Sequence, residues 1–258
     1  MRDPSSGWIQ VSAAEFTLLW ASLELPNMPH ELGLHELGRT RARRDELHEY
    51  ASTTLSTRGL GTVGQPAADL TALLRTLGER RITVDIWAEG HGPPLRAVAG
   101  AAGRDASGAA RVGDEIRIGP LTPPRLVSAL LEAVAPLPAG PGRPVNVAAA
   151  DYEAACVEGD RDGVTGFLDA LRDAGLSQPD ASTLARALTG RYGGGRLGAS
   201  ARDRSGRMAR ASSPINWVDT AEGRYVLRRN GAWITVTPVD PARFAAMAED
   251  MLADARRD

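Results

Sequence analysis

The sequence predicts an α+β fold built from two similar halves, residues 8–136 and 143–256, joined in one composite domain spanning 1–258. Three observations predict it. The segment Ile9-Gln10-Val11-Ser12-Ala13-Ala14-Glu15-Phe16 returns as Val145-Asn146-Val147-Ala148-Ala149-Ala150-Asp151-Tyr152, with each position identical or exchanged for a residue of related character, and an internal echo of this kind decides an architecture before any local reading. The strand-like segments come in consecutive groups rather than alternating with helices, which argues for antiparallel meanders and against a parallel α/β sheet. Between the halves, residues 136–144 carry four prolines and two glycines, a composition that breaks regular structure.

Each half then reads as strand, helices, meander, helix. A strand around Trp8 to Val11 leads to a helix with Ser12 as N-cap and Glu15 three residues on, the pattern of a capping box, with Phe16, Leu19 and Leu23 on one face. Pro26 and Pro29 end it. A second helix runs from Thr40 to Arg58 before Gly59, and a third from Pro66 to Leu77 carries Leu70, Leu73, Leu74 and Leu77 at core spacing. Alternation over Ile82 to Trp87 predicts a half-buried strand, followed by strands over Leu95 to Ala101, Ala109 to Val112 and Glu115 to Ile118, with a turn at Gly113-Asp114. A helix over Pro124 to Val134 closes the half. In the second half, Val145 to Cys156 repeats the opening strand and helix, and helices follow near Gly163 to Ala174 and Pro179 to Leu188. Strands are then expected over Arg196 to Arg204, Arg207 to Ser212, Ile215 to Val218, Arg224 to Arg229 and Trp233 to Val236, with Asn230-Gly231 as a type I′ hairpin signal. A helix from Pro241 to Arg256 turns Phe244, Met247, Met251 and Leu252 inward.

Composition removes several classes of function. A formal net charge of −2 and a pI near 6.1 supply no bulk attraction for nucleic acid or an anionic bilayer. No apolar run approaches a membrane span, and Met1 to Gly7 lacks the apolar segment of a signal peptide, so a cytoplasmic location is expected. All 30 basic residues are arginine. The absence of lysine excludes a Walker phosphate loop, Schiff-base and pyridoxal-phosphate chemistry and serine-lysine hydrolysis. The single Cys156 forms no internal disulfide and builds no thiolate metal site alone.

The motifs resolve mostly into structure. Gly193, Gly195 and Gly198 spell G-x-G-x-x-G, but a helix precedes them and a strand follows, the reverse of a dinucleotide site, which points to a helix-to-strand connection. His30, His35, His48 and His91 show no zinc-ligand spacing and read as surface residues. The basic run Arg39 to Arg44 is followed at once by Asp45, Glu46 and Glu49, as in a solvated helix start. Asp219 and Gly223 read as turn formers of a hairpin rather than as an acid/base pair.

Taken in order, several short motifs resemble the EspG family, cytoplasmic chaperones of type VII (ESX) secretion in actinobacteria. They are Trp8 with Val11 to Phe16 and Leu19-Trp20; Gly38-Arg39-Thr40 with Arg44; Gly140-Pro141-Gly142-Arg143; Gly195 to Ala199 with Arg202-Asp203; and Asp219-Thr220 with Gly223-Arg224-Tyr225. Arg43 departs from the family's Thr-x-x-Glu pattern and removes a capping box. The resemblance implies a quasi-two-fold fold with a central antiparallel sheet flanked by two helical bundles, no enzymatic activity and no cofactor. Its implied partner is the helical tip of a PPE-type subunit in a PE/PPE heterodimer. In similar proteins the contact uses the central sheet, the second bundle and a loop between early strands, here by position Glu89-Gly90-His91-Gly92-Pro93-Pro94. Trp87, Trp217 and Trp233 are the candidate anchors, because aromatic residues dominate interface energetics, and a core role is equally open to each. The expected partner-binding set is therefore Trp87, Glu89, Gly90, His91, Trp217 and Trp233, with no catalytic or metal site. The alternatives are a small-molecule enzyme, which requires a deep polar pocket, and a nucleic-acid module, which requires arginines on one face.

Overall fold

The computed structural model describes residues 3, 5–34, 37, 38, 40–203 and 206–257. His35, Arg39 and Arg204, and Met1, Arg2 and Pro4 of the N-terminal stretch, lie outside the described residues. The opening strand β1 (Ile9–Ser12) runs into α1 (Ala13–Ser22) through the predicted capping box: Ser12 Oγ accepts from the Glu15 amide at 3.1 Å and the Glu15 carboxylate accepts from the Ser12 amide at 2.8 Å. A 3-10 turn (His30–Leu32) precedes α2 (Arg41–Thr57), whose N-cap Thr40 accepts from the Arg43 amide at 3.3 Å. With Arg43 in the glutamate position that bond is one-sided, and Arg43 pairs with Glu46 instead. Helix α3 (Ala68–Gly78) completes the first bundle.

Strands β2 (Ile82–Glu89), β3 (Leu95–Ala102), β4 (Asp105–Val112) and β5 (Glu115–Leu121) form the expected meander. The alternation of β2 suggested one wet face, yet Thr83 and Asp85 are buried as well as Val84 and Ile86, because structure packs on both sides of the sheet. The predicted Pro124 to Val134 helix is shorter, a 3-10 turn at Pro123–Arg125 and then α4 (Leu126–Leu131). Its end tightens to amides of Ala133 and Val134 bonding three residues back, as the chain approaches Pro136, before which α geometry is disfavoured.

In the second half β6 (Val145–Ala148) leads to α5 (Ala149–Asp173), which is two helices meeting at a kink where Gly163 has φ 66. Helix α6 (Gln178–Leu188) follows, then β7 (Arg191–Arg202), β8 (Met208–Arg210), β9 (Ile215–Thr220), β10 (Gly223–Asn230), β11 (Trp233–Pro238) and α7 (Pro241–Ala255). The β10–β11 turn sits one residue later than predicted. Asn230 pairs with Trp233, so Gly231-Ala232 is the loop, with Gly231 at φ 56 and Ala232 at negative φ, the sign pattern of a type II′ turn rather than I′.

Among the described residues eleven strands form one antiparallel sheet in the order β1-β5-β4-β3-β2-β7-β9-β10-β11-β6, with β8 on β7. The strands before and after the proline-rich linker meet at β2 and β7, paired from Ile82↔Ala201 to Glu89↔Gly194. Reading outward from that pair, the strands follow as meander and then opening strand on each side. One face carries two separate helical bundles. Phe16, Leu19, Leu55, Leu70 and Leu74 pack on Val11, Val98, Ile116 and Ile118, while Phe167, Leu171, Ala181 and Leu184 pack on Val145, Val218, Tyr225 and Val236. On the other face α4 and α7 cover the centre, with Leu126, Leu130, Phe244 and Met251 on Val84, Ile86, Leu197, Trp217 and Val226.

The linker is not a loose tether. Pro138 and Gly140 exchange backbone hydrogen bonds with Arg224, and Tyr225 donates its hydroxyl to the Pro141 carbonyl at 3.0 Å. Asp219, read as a turn former, lies within β9 and holds Arg224 by two bonds of 2.7 and 3.1 Å.

Buried Glu15 ties α1 to α2. Burial pushes its carboxyl up, but hydrogen bonds from Thr54, the Ser12 amide and Arg58, with the Arg58 charge, outweigh burial and hold it below its ordinary value. A carboxyl lowered on folding stabilises above its unfolded pKa and loses that contribution as pH falls through the folded value. Glu15→Gln is expected to cost about 2 kcal/mol near pH 7. In urea titrations that gap to wild type should narrow as the pH is lowered below the usual carboxylate range.

Candidate functional site

The register of the sheet builds the site. On the bundle-bearing face one cross-strand row runs Val11, Ile116, Arg111, Arg96, Trp87, Arg196, Asn216, Leu227, Val236, Val145. Paired residues share a face, so the apolar ends of this row lie beneath the two bundles and its polar middle lies in the gap between them. The gap is an open depression of about 610 Å³ lined by Trp87, Arg96, Arg191, Arg196, Asn216 and Leu227 among others. Trp87 is half-buried in its floor, and Arg96, Arg196 and Asn216 are exposed.

At one end of the depression, Glu89 pairs with Arg191 at 2.5 Å, and the exposed His91 stacks on Tyr192 with centroids 4.7 Å apart. This brings the turn after β2 onto the start of β7. Gly193, Gly195 and Gly198, expected in a connection, all lie inside β7. Gly195 is required by close approach: a Cβ there would meet the Trp217 ring at 2.3 Å and the Trp87 carbonyl at 2.3 Å. Further along the same face, Arg210 reaches across Gly198 to Asp85 at 2.9 Å and so straps β8 to β2.

Trp87, Glu89, Gly90 and His91 lie on one stretch of β2 and the turn that follows it. Trp217 also borders the depression, but it is 2% exposed and its ring turns to the opposite face, where it packs on Phe244 with centroids 5.3 Å apart and serves the core. Trp233 is 55% exposed, but it stands at the far end of the sheet opposite Ala148, and alternation along β11 turns it to the α7 side, away from the depression. Sequence reasoning missed Arg96, Arg196 and Tyr192. The available signal was an arginine interrupting small or apolar residues in Leu95-Arg96-Ala97-Val98 and Gly195-Arg196-Leu197-Gly198, which marks an uncovered spot on an otherwise buried central strand.

A second depression of about 730 Å³ lies on the opposite face beside α4, lined by Trp8, Ala97, Gly108, Ala110, Leu121 and Leu130 among others. It contains none of the predicted residues. Among the described residues no group of three or more His, Cys, Asp or Glu is placed to hold a metal ion, and no helix is long and apolar enough to cross a membrane. His30, His48 and His91 are exposed.

These features define an α+β protein whose large antiparallel sheet leaves one face open between two helical bundles. The family comparison is specific: the EspG family profile (ESX-1_EspG) matches residues 12–250, and the chain belongs to the EspG family. Among solved structures it is similar to the Mycobacterium tuberculosis type VII secretion system chaperone EspG5, determined in complex with a PE25-PPE41 dimer. The identity is 18%, the match covers 96% of each chain and the TM-score is 0.75, a likeness of fold. Two Pseudomonas aeruginosa structures, DNA polymerase III subunit beta and a DNA polymerase sliding clamp with ligand, align at 8% and 10% identity. They cover 93% and 90% of this chain and 68% and 63% of theirs, with TM-scores of 0.12. No curated protein matches the chain.

Proposed function

We propose that this chain is a cytoplasmic chaperone of type VII secretion that binds the helical tip of a PPE-type subunit in a PE/PPE heterodimer, keeps the pair soluble and delivers it for secretion. Family membership over residues 12–250 is the observation that carries the reading, and the partner class follows the complex of the fold relative EspG5. The output is docking, with no bond made or broken. The contact surface is the depression floored by Trp87 and rimmed by Glu89, Gly90, His91 and the second bundle.

The sheet itself favours a helical guest. At its centre β2 is paired on both sides, by β3 and β7, and β7 by β2 and β9. No edge is free there for strand addition, so a guest must arrive with its own backbone hydrogen bonds made, as a helix in a groove does. The composite scaffold of two related halves, 8–136 and 143–256, creates this groove at their seam.

Co-expression tests the reading. A PE/PPE-type heterodimer from the same organism should co-purify with the chain and elute on size exclusion as a single ternary complex. If every such pair elutes apart from it, the reading fails.

A further inference from the structure

The arginines around the depression divide by what already holds them. Arg111 donates to the carbonyls of Leu32 at 3.0 Å and Gly33 at 2.5 Å, and Arg191 is paired with Glu89. Arg96 and Arg196 are different. They stand on the two strands flanking Trp87, each its direct register partner, both exposed, and neither has an ion pair or hydrogen-bonded side-chain partner among the described residues. The Arg96 guanidinium leans against Gly33 at the end of the 3-10 turn, where a Cβ would come within 3.0 Å of its Nη1.

The geometry points to an acid-reading clamp: Arg96 and Arg196 select a helical tip that presents a carboxylate side chain beside an apolar residue, the carboxylate going to the guanidiniums and the apolar group to Trp87. The inference rests on the docking reading above and adds the chemistry of the guest. Two strand spacings place the Arg96 and Arg196 backbones about 10 Å apart across the indole, a span that two long side chains close over a small anion. Guanidinium is suited to this task, since its planar fork binds a carboxylate through two parallel hydrogen bonds. A cleft lined by one sign of charge, with protein walls on either side, attracts the opposite charge more strongly than an open surface does. The same pair excludes guests, because a lysine or arginine at the tip would sit against two unneutralised cations.

The test uses the full-length chain and two synthetic helical hairpins identical except for glutamate or lysine at the tip. Binding is measured by calorimetry at low and moderate salt for wild type, the Arg96→Glu/Arg196→Glu variant and Arg104→Glu. This last is an exposed charge at the remote β3–β4 turn that matches the type of substitution. Wild type is expected to prefer the glutamate tip by about tenfold or more, with a preference that shrinks as salt rises. The double variant should reverse the preference and Arg104→Glu should keep it. Thermal unfolding checks that the double variant is folded; should it not be, Arg96→Ala/Arg196→Ala replaces it and is expected to abolish the preference. Equal affinity, a lysine preference, or no measurable binding of either hairpin overturns the clamp. The two readings fail separately. A PE/PPE pair that co-purifies equally with wild type and the double variant removes the clamp and leaves the chaperone reading standing. A glutamate preference with no co-purifying pair does the opposite.

Discussion

Asp219→Ala is expected to lower the unfolding free energy by about 3–5 kcal/mol, the usual effect of stripping one partner from a buried ion pair. Arg224 is 2% exposed. Its guanidinium is held by two bonds to Asp219, donates to the Ala135 carbonyl at 3.0 Å and lies over the Phe244 ring at 5.1 Å. Without the carboxylate a full positive charge stays enclosed by Trp217, Phe244 and the sheet, with one carbonyl as its remaining polar partner. The damage should spread to the linker, because the Arg224 amide donates to the Pro138 carbonyl and the Arg224 carbonyl accepts from the Gly140 amide. Urea denaturation checks the magnitude. Pairing Asp219→Leu with Arg224→Met should recover much of the loss, since replacing both members of a buried pair with apolar residues of similar size removes the uncompensated charge. If the single variant is as stable as wild type, the pair is not the fastener that joins the linker to the second meander.

Trp87→Ala and Trp217→Ala should separate binding from folding. Trp87 is half-buried in the open floor, so its loss is expected to weaken the ternary complex by about 2–4 kcal/mol, the range of an aromatic hot spot, while the melting temperature of the free protein changes little. Trp217 is fully enclosed against Phe244 and Gly195, and its truncation should cost about 3–5 kcal/mol of stability. Co-purification yield set against thermal unfolding reads both outcomes. A Trp87→Ala protein that binds as wild type would remove the depression as the contact surface.

The sequence was most legible where local chemistry alone decides. The Ser12–Glu15 capping box, the Thr40 cap and the inward stripe of α7 are fixed by neighbours a few residues away. It was less legible where a distant partner decides. Asp219 read as a turn former because its partner's burial depends on α7 and the linker arriving from elsewhere. Gly193 and Gly195 read as a flexible connection because nothing local reveals that the Trp217 ring will lie on Gly195. Trp87, Glu89, Gly90 and His91 lie within one short stretch of chain, so the sequence offers them as a single candidate group. For Trp217 the sequence leaves anchor and core equally open, because the face of a strand residue depends on register, and Arg96 and Arg196 escape it because their place beside Trp87 appears only once three strands have paired.

The β2–β7 pair also has a consequence in time. Strands β1 to β5 pair only among themselves until β7 joins them, so the N-terminal segment emerging from the ribosome can assemble its meander early, leaving β2 as a bare edge with Val84 and Ile86 beside it. The stretch that pairs with β2, Gly194 to Ala201, is translated roughly a hundred residues after β2 itself, a wait of about 5–20 s at ordinary elongation rates. During that wait the nascent chain displays an eight-residue template for illegitimate pairing. A protein proposed to guard another from aggregation thus begins life with the same exposure, and slowing synthesis between β5 and β7 should increase its own insoluble fraction.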